Sequence, residues 1–244
     1  MEYKFEICAN GVASCIAAQK GGADRVELCA GIPEGGTTPS QGCIVTARRS
    51  IDIGLNVIIR PRGGDFLYTQ AELDEMEADI RAAIDAGADG LVFGCLTAQG
   101  DVDMIAMQRL IHASAGKPVT FHRAFDRCRN PFKALQDITD LGCTRILTSG
   151  QQPTAPQGTE LLKELNAKAQ DIIIMAGSGV NENNIKQLAM NTGIKEFHFS
   201  AREAFNSNME YHNPNIYMGT PGAVENAIMQ TTEQRVRKTI ASLC

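Results

Sequence analysis

One short pattern, repeated four times, limits the folds available to this chain more than any other feature of its sequence. Each copy has a glycine, variable residues and then a strand-like segment, and each follows a helix-like stretch. Glycine readily adopts the positive φ at which many helices end, so each copy marks a joint between a helix and a strand. The copies begin at Gly22, Gly87, Gly142 and Gly193. With room for one further strand before each, they predict eight βα units, which is an α/β fold of the (β/α)8 barrel type.

The length and charge of the chain agree with this interpretation and argue against several classes of partner. Its 244 residues fit one barrel, so we expect a single domain over residues 1–244. A net charge of −5 argues against nonspecific binding to nucleic acid or to an anionic membrane. The chain has neither an apolar run of about 18 residues nor a basic and apolar leader, which predicts a cytoplasmic protein. We also expect a homo-oligomer and predict no organic cofactor.

Apolar segments between turn-like stretches give the positions of the predicted elements. The eight strands are predicted at 4–8, 25–29, 55–60, 90–93, 118–122, 145–148, 171–175 and 196–199. Helices are predicted between the strands, and the last helix is predicted within 222–243. Residues 205–220 form a polar, asparagine-rich segment without clear periodicity, so no regular element is predicted there.

The alternation of side chains along a strand predicts which residues point into the barrel. One inner layer contains Glu27, Val92, Leu147 and His198. All four residues of the next layer, nearer the carboxyl ends, are small and leave the mouth open: Cys29, Gly94, Ser149 and Ser200. The odd-numbered strands add Glu6, Cys8, Arg60 and His122. Buried charges are unfavourable unless paired, so two interpretations stay open: an interior salt-bridge network that holds the barrel, and a functional site.

The carboxyl ends of barrel strands carry the active sites of this fold, and several reactive residues are predicted there. His122 ends the fifth strand and is the predicted general acid or base, with Asp126 orienting groups and Glu27 as a further catalytic carboxylate. Arg60 and Arg62 are the predicted anion clamps. The rest of the predicted anion site is Asp65, Arg123, Ser149, Gly177, Ser178, Gly179, His198 and Ser200. Structural alternatives stay open, namely arginines that bond to loop carbonyls and glycines that only make a tight turn.

The eight cysteines do not form a recognisable metal or disulfide motif. Their spacings contain no CxxC pair, and a reducing cytosol disfavours disulfides. Most of them are therefore predicted to be small buried apolar residues. Cys8 and Cys29 differ, because both are predicted to point inward at the ends of adjacent strands.

Several long motifs, in order, resemble the CutC family. They are Glu6-Ile-Cys8, Arg25-Val-Glu-Leu-Cys29, Gly35-Gly-Thr-Thr-Pro-Ser40, Ile59-Arg-Pro-Arg-Gly-Gly-Asp-Phe66, Thr120-Phe-His-Arg-Ala-Phe-Asp126, Arg145-Ile-Leu-Thr-Ser-Gly150 and Met175-Ala-Gly-Ser-Gly-Val180. The resemblance runs from residue 3 to about 202. It implies a TIM-like barrel, a cytoplasmic location and a role in copper tolerance or Cu(I) binding.

Two hypotheses about function follow from these residues. In the first, the protein serves copper homeostasis and binds Cu(I) through Cys8 and Cys29, because Cu(I) prefers soft thiolate ligands. In the second, it is a barrel enzyme of the lyase, isomerase or hydrolase type that acts on a small anionic or phosphorylated metabolite, with His122 as acid or base. The sequence leaves open whether the protein is an enzyme.

Overall fold

Eight parallel strands close into a barrel, which confirms the fold that the repeat predicts. The structure, a computed structural model, describes residues 3–211, 213, 215, 216, 218 and 226–243. Each barrel strand pairs with the next along the chain, and the first closes the sheet on the eighth, with Glu6 opposite His198. In the described part of the chain, no helix has the length and apolarity needed to span a bilayer.

Helices and strands alternate through the barrel. The barrel strands are β1 (Lys4–Ala9), β2 (Arg25–Leu28), β3 (Gly54–Ile58), β4 (Gly90–Phe93), β5 (Val119–Phe121), β6 (Arg145–Thr148), β7 (Ile173–Gly177) and β8 (Glu196–Phe199). The helices are α1 (Val12–Gly21), α2 (Gln41–Ser50), α3 (Gln70–Asp85), α4 (Met104–Ala113), α5 (Pro131–Asp140), α6 (Thr159–Lys168), α7 (Ile185–Thr192) and α8 (Glu233–Ala241). The other described elements are strands β9 (Arg202–Asn206) and β10 (Ala227–Thr231) and the 3-10 turns Ile32–Glu34 and Arg123–Arg127.

The local sequence explains where these elements begin and end. α5 begins at Pro131, and the Asn130 side chain before it accepts the backbone N–H groups of the first turn, which satisfies donors that the helix itself cannot. The repeated glycines have φ values of 93°, 97°, 78° and 72° at Gly22, Gly87, Gly142 and Gly193. These conformations suit glycine because a Cβ atom would clash there. The repeat therefore marks the joints that it predicts.

The apolar side chains of the barrel strands pack outward against the helices and form the main core. Val26 and Leu28 of β2 are fully buried in this core. A separate and smaller apolar cluster lies inside the barrel around Cys29, Ile58 and Val92. The inner surface is otherwise rich in polar side chains, as the period-two alternation predicts. The apolar core therefore lies between the sheet and the helices, and the polar and reactive side chains lie inside the barrel.

The structure differs from the predicted elements most at β3, at β7 and in the carboxyl-terminal segment. β3 ends at Ile58, two residues earlier than predicted, so Arg60 lies in the loop after it. β7 runs over Ile173–Gly177, two residues later than predicted, because its backbone pairs with β8 up to Gly177. β9 and β10 form an antiparallel hairpin that the sequence pattern did not predict, and β10 occupies part of the range given to the last helix. Residues 212, 214, 217, 219–225 and 244 of the predicted terminal segments lie outside the described residues.

Candidate functional site

A cavity of about 600 Å³ opens at the carboxyl ends of the barrel strands. This is the end at which barrel enzymes carry their active sites. Its volume lies within the range of small-molecule sites. The lining side chains that matter most are Cys8, Glu27, Cys29, Arg60, Phe66, His122, Arg123, Asp126, His198, Ser200, Arg202 and Arg235.

An ion network lies deeper in the barrel, one layer closer to the amino ends of the strands. We call it the floor network, and it consists of Glu6, Arg25, Arg145 and Glu196. Arg25 donates to Glu6 Oε2 at 2.6 Å and also to Glu196, and Arg145 donates to Glu196 Oε2 at 2.7 Å. Asn56 adds a 2.8 Å bond to the same oxygen of Glu6. Paired in this way, the buried charge of Glu6 supports the structural interpretation left open for it.

Four side chains above the floor network form a second group, the thiol cluster: Cys8, Glu27, Cys29 and His198. The two sulfur atoms lie 3.9 Å apart, and neither cysteine forms a disulfide. The carboxylate of Glu27 and the two sulfurs all lie within 4.8 Å of one another. His198 Nε2 lies 2.8 Å from Glu27 Oε2, so Glu27 is engaged by the imidazole and does not face the cavity as an unpaired base. Three potential metal ligands thus converge at the base of the cavity.

The thiol cluster separates charge between its members. Burial alone would lower the pKa of His198, but the Glu27 carboxylate and the Cys8 sulfur raise it well above its ordinary value. A hydrogen bond from Cys29, with the charges of His198 and Arg202, lowers the pKa of the Cys8 thiol well below its ordinary value despite burial. The same hydrogen bond and burial raise the pKa of Cys29. The surroundings therefore favour a thiolate at Cys8, a thiol at Cys29 and an imidazolium at His198.

His122 is the best-defined group on the wall of the cavity. Its Nδ1 accepts the backbone N–H of Ala124 at 3.3 Å, while its buried Nε2 has no hydrogen-bond partner among the described residues. Burial and the nearby Arg60 charge lower the pKa of His122 to about 3. Gly94 makes room for the ring, because a Cβ there would lie 2.9 Å from Nδ1. His122 is therefore a neutral imidazole at physiological pH, whereas a general base works best with a pKa near 7.

Arg60 is buried beside His122 and is held by the loops around it. Its Nη1 donates to the carbonyls of Glu34 and Gly36, both at 2.8 Å, and its Nη2 donates to the Gly64 carbonyl at 3.0 Å. Its Nε makes no hydrogen bond in the described part of the structure, although the Tyr68 hydroxyl lies close to the guanidinium. The guanidinium lies 5.0 Å from the Phe66 ring. Most of the Arg60 donors thus bond to loop carbonyls, as the structural alternative predicts, but the Nε–H does not.

Asp126 is an anchor for the loop after β6. It accepts hydrogen bonds from Thr148 Oγ1 at 2.6 Å and from the Ser149 backbone and hydroxyl at 3.0 and 2.9 Å. Arg123 pairs with the same carboxylate at 2.8 Å, and Gln151 adds a backbone donor. With both oxygens engaged, Asp126 has little capacity left to orient a ligand.

The structure brings most, but not all, of the predicted residues to the cavity. Ser178, Gly179, Ser200 and Arg123 line it, whereas Gly177 and Ser149 do not. Arg62 and Asp65 also lie away from it, because Arg62 turns to Glu72 and Asp65 at the outer surface. Arg62 was predicted to be an anion clamp because it lies two residues after Arg60, but the loop directs its side chain away from the cavity.

Three arginines that line the cavity were absent from the predicted site: Arg127, Arg202 and Arg235. Arg202 begins β9 and places Nη2 3.9 Å from Cys8 Sγ. Arg235, on α8, donates to the Arg202 carbonyl at 2.7 Å. Arg202 follows the carboxyl end of β8, so its position in the sequence could have predicted it as a site residue. Arg235 contacts Arg202 from 33 positions further along the chain, and no sequence pattern indicates that contact.

Comparisons with known proteins agree on one family. The CutC family model matches residues 3–203. A CutC family protein of Bacteroides thetaiotaomicron is 59% identical over 99% of this chain and 98% of its own length. The human copper homeostasis protein cutC homolog is 41% identical over 99% of this chain and 89% of its own length. The solved CutC structure from Streptococcus agalactiae has a TM-score of 0.78 and 36% identity over 81% of this chain and 98% of that one. The chain belongs to the CutC family.

Proposed function

We propose that this protein binds one Cu(I) ion per chain between Cys8 and Cys29 and serves copper homeostasis in the cytoplasm. The observation that carries the proposal is the pair of unoxidised sulfurs 3.9 Å apart at the base of an open cavity. Cu(I) is a soft ion that thiolates hold more tightly than oxygen ligands do. The expectation that the protein forms homo-oligomers remains part of this proposal.

The chemistry of the donor set fits Cu(I). Cys8 lies in surroundings that favour the thiolate, which is the form that ligates a metal. A Cu(I) ion with two thiolates carries a net charge of −1, and two cations lie beside the sulfurs to offset it. These cations are the His198 imidazolium and Arg202. The Glu27 carboxylate is within reach as a hard oxygen ligand, but the bond to His198 occupies it.

The names of relatives add support of a different kind. The human relative is named for copper homeostasis, and its alignment spans nearly all of this chain. The two cysteines lie within the segment that the family model matches. A role in copper handling is therefore the function that both the site and the family favour.

The direct test is a competition for Cu(I) with a chromophoric Cu(I) chelator, under anaerobic and reducing conditions. We expect the wild-type protein to withdraw one equivalent of Cu(I), and the Cys8→Ser/Cys29→Ser variant to withdraw none. Cys43→Ser is the matched control, because Cys43 is a half-buried cysteine that does not line the cavity. A double variant that competes as well as the wild type would refute the proposal.

Binding in a tube does not establish a role in the cell, because adjacent thiols can capture Cu(I) without purpose. The second test expresses each variant in a host that lacks its own copy of the gene and measures growth against added copper. We expect the wild type and Cys43→Ser to restore tolerance and the double variant to fail. Restoration by the double variant would show that copper binding at these cysteines has no part in tolerance.

A further inference from the structure

Two buried hydrogen-bond donors, in side chains that line the same cavity, make no hydrogen bond among the described residues, and neither belongs to the thiol cluster. They are Nε2 of His122 and Nε of Arg60, in side chains that are only 4% and 5% exposed. Native proteins rarely leave buried donors unpaired, so such groups suggest a ligand that would pair them. Both side chains also pack against one aromatic ring, Phe66, at 4.9 Å for the imidazole and 5.0 Å for the guanidinium.

The hydrogen bond from Ala124 settles the proton position on His122. Since Nδ1 accepts that bond, the single proton of the neutral ring resides on Nε2. Burial and the Arg60 charge keep the ring neutral, with a pKa of about 3. His122 therefore offers an N–H donor to the cavity at any pH at which the protein is used. It is a fixed donor for an acceptor atom.

Arg60 offers its donor from an equally fixed position. Three bonds to the carbonyls of Glu34, Gly36 and Gly64 hold the guanidinium plane and leave the Nε–H unused. A mobile arginine would lose rotamer entropy when it bound a ligand, whereas this one has already lost it in folding. The positive charge of Arg60 favours an acceptor that is negative.

We propose that Arg60 and His122 form a subsite for the carboxylate group of a small organic anion, with one carboxylate oxygen accepting from each N–H. A planar group with two acceptor oxygens matches two separate N–H donors. Phe66 supplies an apolar surface beside them for the carbon skeleton of the ligand. The positive charge of Arg202, across the same cavity, favours an anion further.

The carboxylate subsite does not depend on copper, because neither Cys8 nor Cys29 takes part in it. It also changes the role given to His122 by the enzyme hypothesis. A neutral ring whose proton is fixed on Nε2 binds and polarises an oxygen, and it does not serve as the base that removes a proton. His122 is thus a binding residue of the subsite.

The test is a titration of copper-free protein labelled with ¹⁵N-histidine, followed by NMR at neutral pH. The probes are pyruvate and succinate as carboxylates, inorganic phosphate as the competing oxyanion, and chloride at equal ionic strength. We expect one of the carboxylates to shift the His122 Nε2 resonance saturably. His122→Phe, which keeps a ring but removes the donor, should weaken the binding of that carboxylate by about tenfold, measured by calorimetry.

Two further variants show whether the carboxylate binds at this subsite. Arg62→Gln alters a nearby arginine that lies outside the cavity and should bind the carboxylate as the wild type does. Arg60→Gln should weaken binding, and its unfolding curve shows whether the loops have survived. A saturable response to phosphate alone would overturn the assignment to carboxylates. No saturable shift with either carboxylate, or unchanged affinity in His122→Phe, would show that water is the ordinary partner of these donors.

Discussion

The floor network and the cavity wall, which consists of His122 and Arg60, both contain buried polar side chains of the same barrel. They differ in whether the polar atoms have hydrogen-bond partners. On the floor, Arg25 and Arg145 meet Glu6 and Glu196 through several short bonds. Among the floor atoms that are shielded from solvent in the described structure, only Glu6 Oε1 lacks a hydrogen bond, and it is an acceptor 4.0 Å from His198. On the wall, the buried atoms that lack a hydrogen bond among the described residues are two donors, His122 Nε2 and Arg60 Nε, in side chains that line a cavity.

The difference separates residues that hold the barrel from residues that await a ligand. A buried charge that is paired on several sides contributes to a unique structure, and its removal leaves its partners uncompensated. A buried donor that is rigid and unpaired can still donate a hydrogen bond to a ligand. Substitutions on the floor should therefore change stability first, and substitutions on the wall should change binding first.

The largest effect is expected from Arg25→Met. This substitution keeps much of the side-chain volume but leaves Glu6 and Glu196 without their shared partner. Breaking a buried ion network by removing one member typically destabilises a protein by about 3–5 kcal/mol. Urea denaturation at neutral pH should show a loss of this size in the free energy of unfolding.

The control for Arg25 is Arg81, which pairs with Glu77 on the outer face of α3 and is 61% exposed. Solvent screens exposed pairs of this type, so Arg81→Met should barely move the transition. Equal losses in the two variants would mean that the floor network has no special structural importance.

The next effect concerns Cys8 and the pH dependence of stability. Folding raises the pKa of His198 above 6.5 and lowers that of Cys8 below 9.0. Both shifts favour the charged forms in the folded protein, with a proton on His198 and none on Cys8, whereas between these two pH values the unfolded chain keeps its proton on Cys8. The two shifts therefore act in opposite directions on the number of bound protons, and the pair adds little slope to stability over this window.

Cys8→Ser removes the contribution of the lowered Cys8 pKa and leaves that of the raised His198 pKa. The stabilisation from a raised histidine pKa is fully present below pH 6.5 and is lost as the pH rises toward the folded pKa, and the Glu27 side chain remains beside His198 in this variant. Copper-free Cys8→Ser should therefore lose stability relative to the wild type as the pH rises from 6.5 to 8.5, by at most about 1.4 kcal/mol per pH unit. Urea titrations across this range measure it, and parallel curves for the two proteins would contradict the thiolate–imidazolium assignment.

The fold could be predicted from the sequence because its signals are local. A glycine after a helix and a period of two along a strand each depend on neighbouring residues, and they identified the barrel and its inner face. The β9–β10 hairpin could not be found in the same way. It pairs Arg202 with Thr231 through backbone atoms, and the two segments show no shared pattern.

The residues of the candidate site likewise divide into those on strands, which a local pattern predicts, and those on loops, which it does not. Alternation placed Glu27 and His198 in one inner layer of the barrel, and the same alternation, followed two residues earlier, would have found Arg25 and Glu196. The direction of a loop side chain has no such rule. Arg62 therefore entered the predicted site although it turns outward, and a sequence cannot show that a donor such as His122 Nε2 lacks a partner.

A smaller effect is expected from His122 at acidic pH. Its folded pKa is about 3, below the ordinary value of 6.5, so the unfolded state takes up a proton first as the pH falls. The wild type should lose about 1–2 kcal/mol of stability between pH 6.5 and 5.0 through this group. His122→Phe should lack that part of the acid slope in urea titrations. An unchanged slope would mean that His122 is protonated in the folded protein and is not the neutral donor of the wall.

The smallest effect is expected from Arg62→Ala, which tests where the wall ends. Arg62 lies two residues after Arg60, yet its side chain is 39% exposed and pairs with Glu72 and Asp65 at the surface. Solvent screens such pairs, so the free energy of unfolding should fall by no more than about 1 kcal/mol. Cu(I) uptake and carboxylate binding should both equal those of the wild type, since the side chain does not reach the cavity. A loss of carboxylate affinity as large as that of His122→Phe would extend the binding wall into the loop of Arg62, and the division between a structural surface and a binding interior would have to be redrawn there.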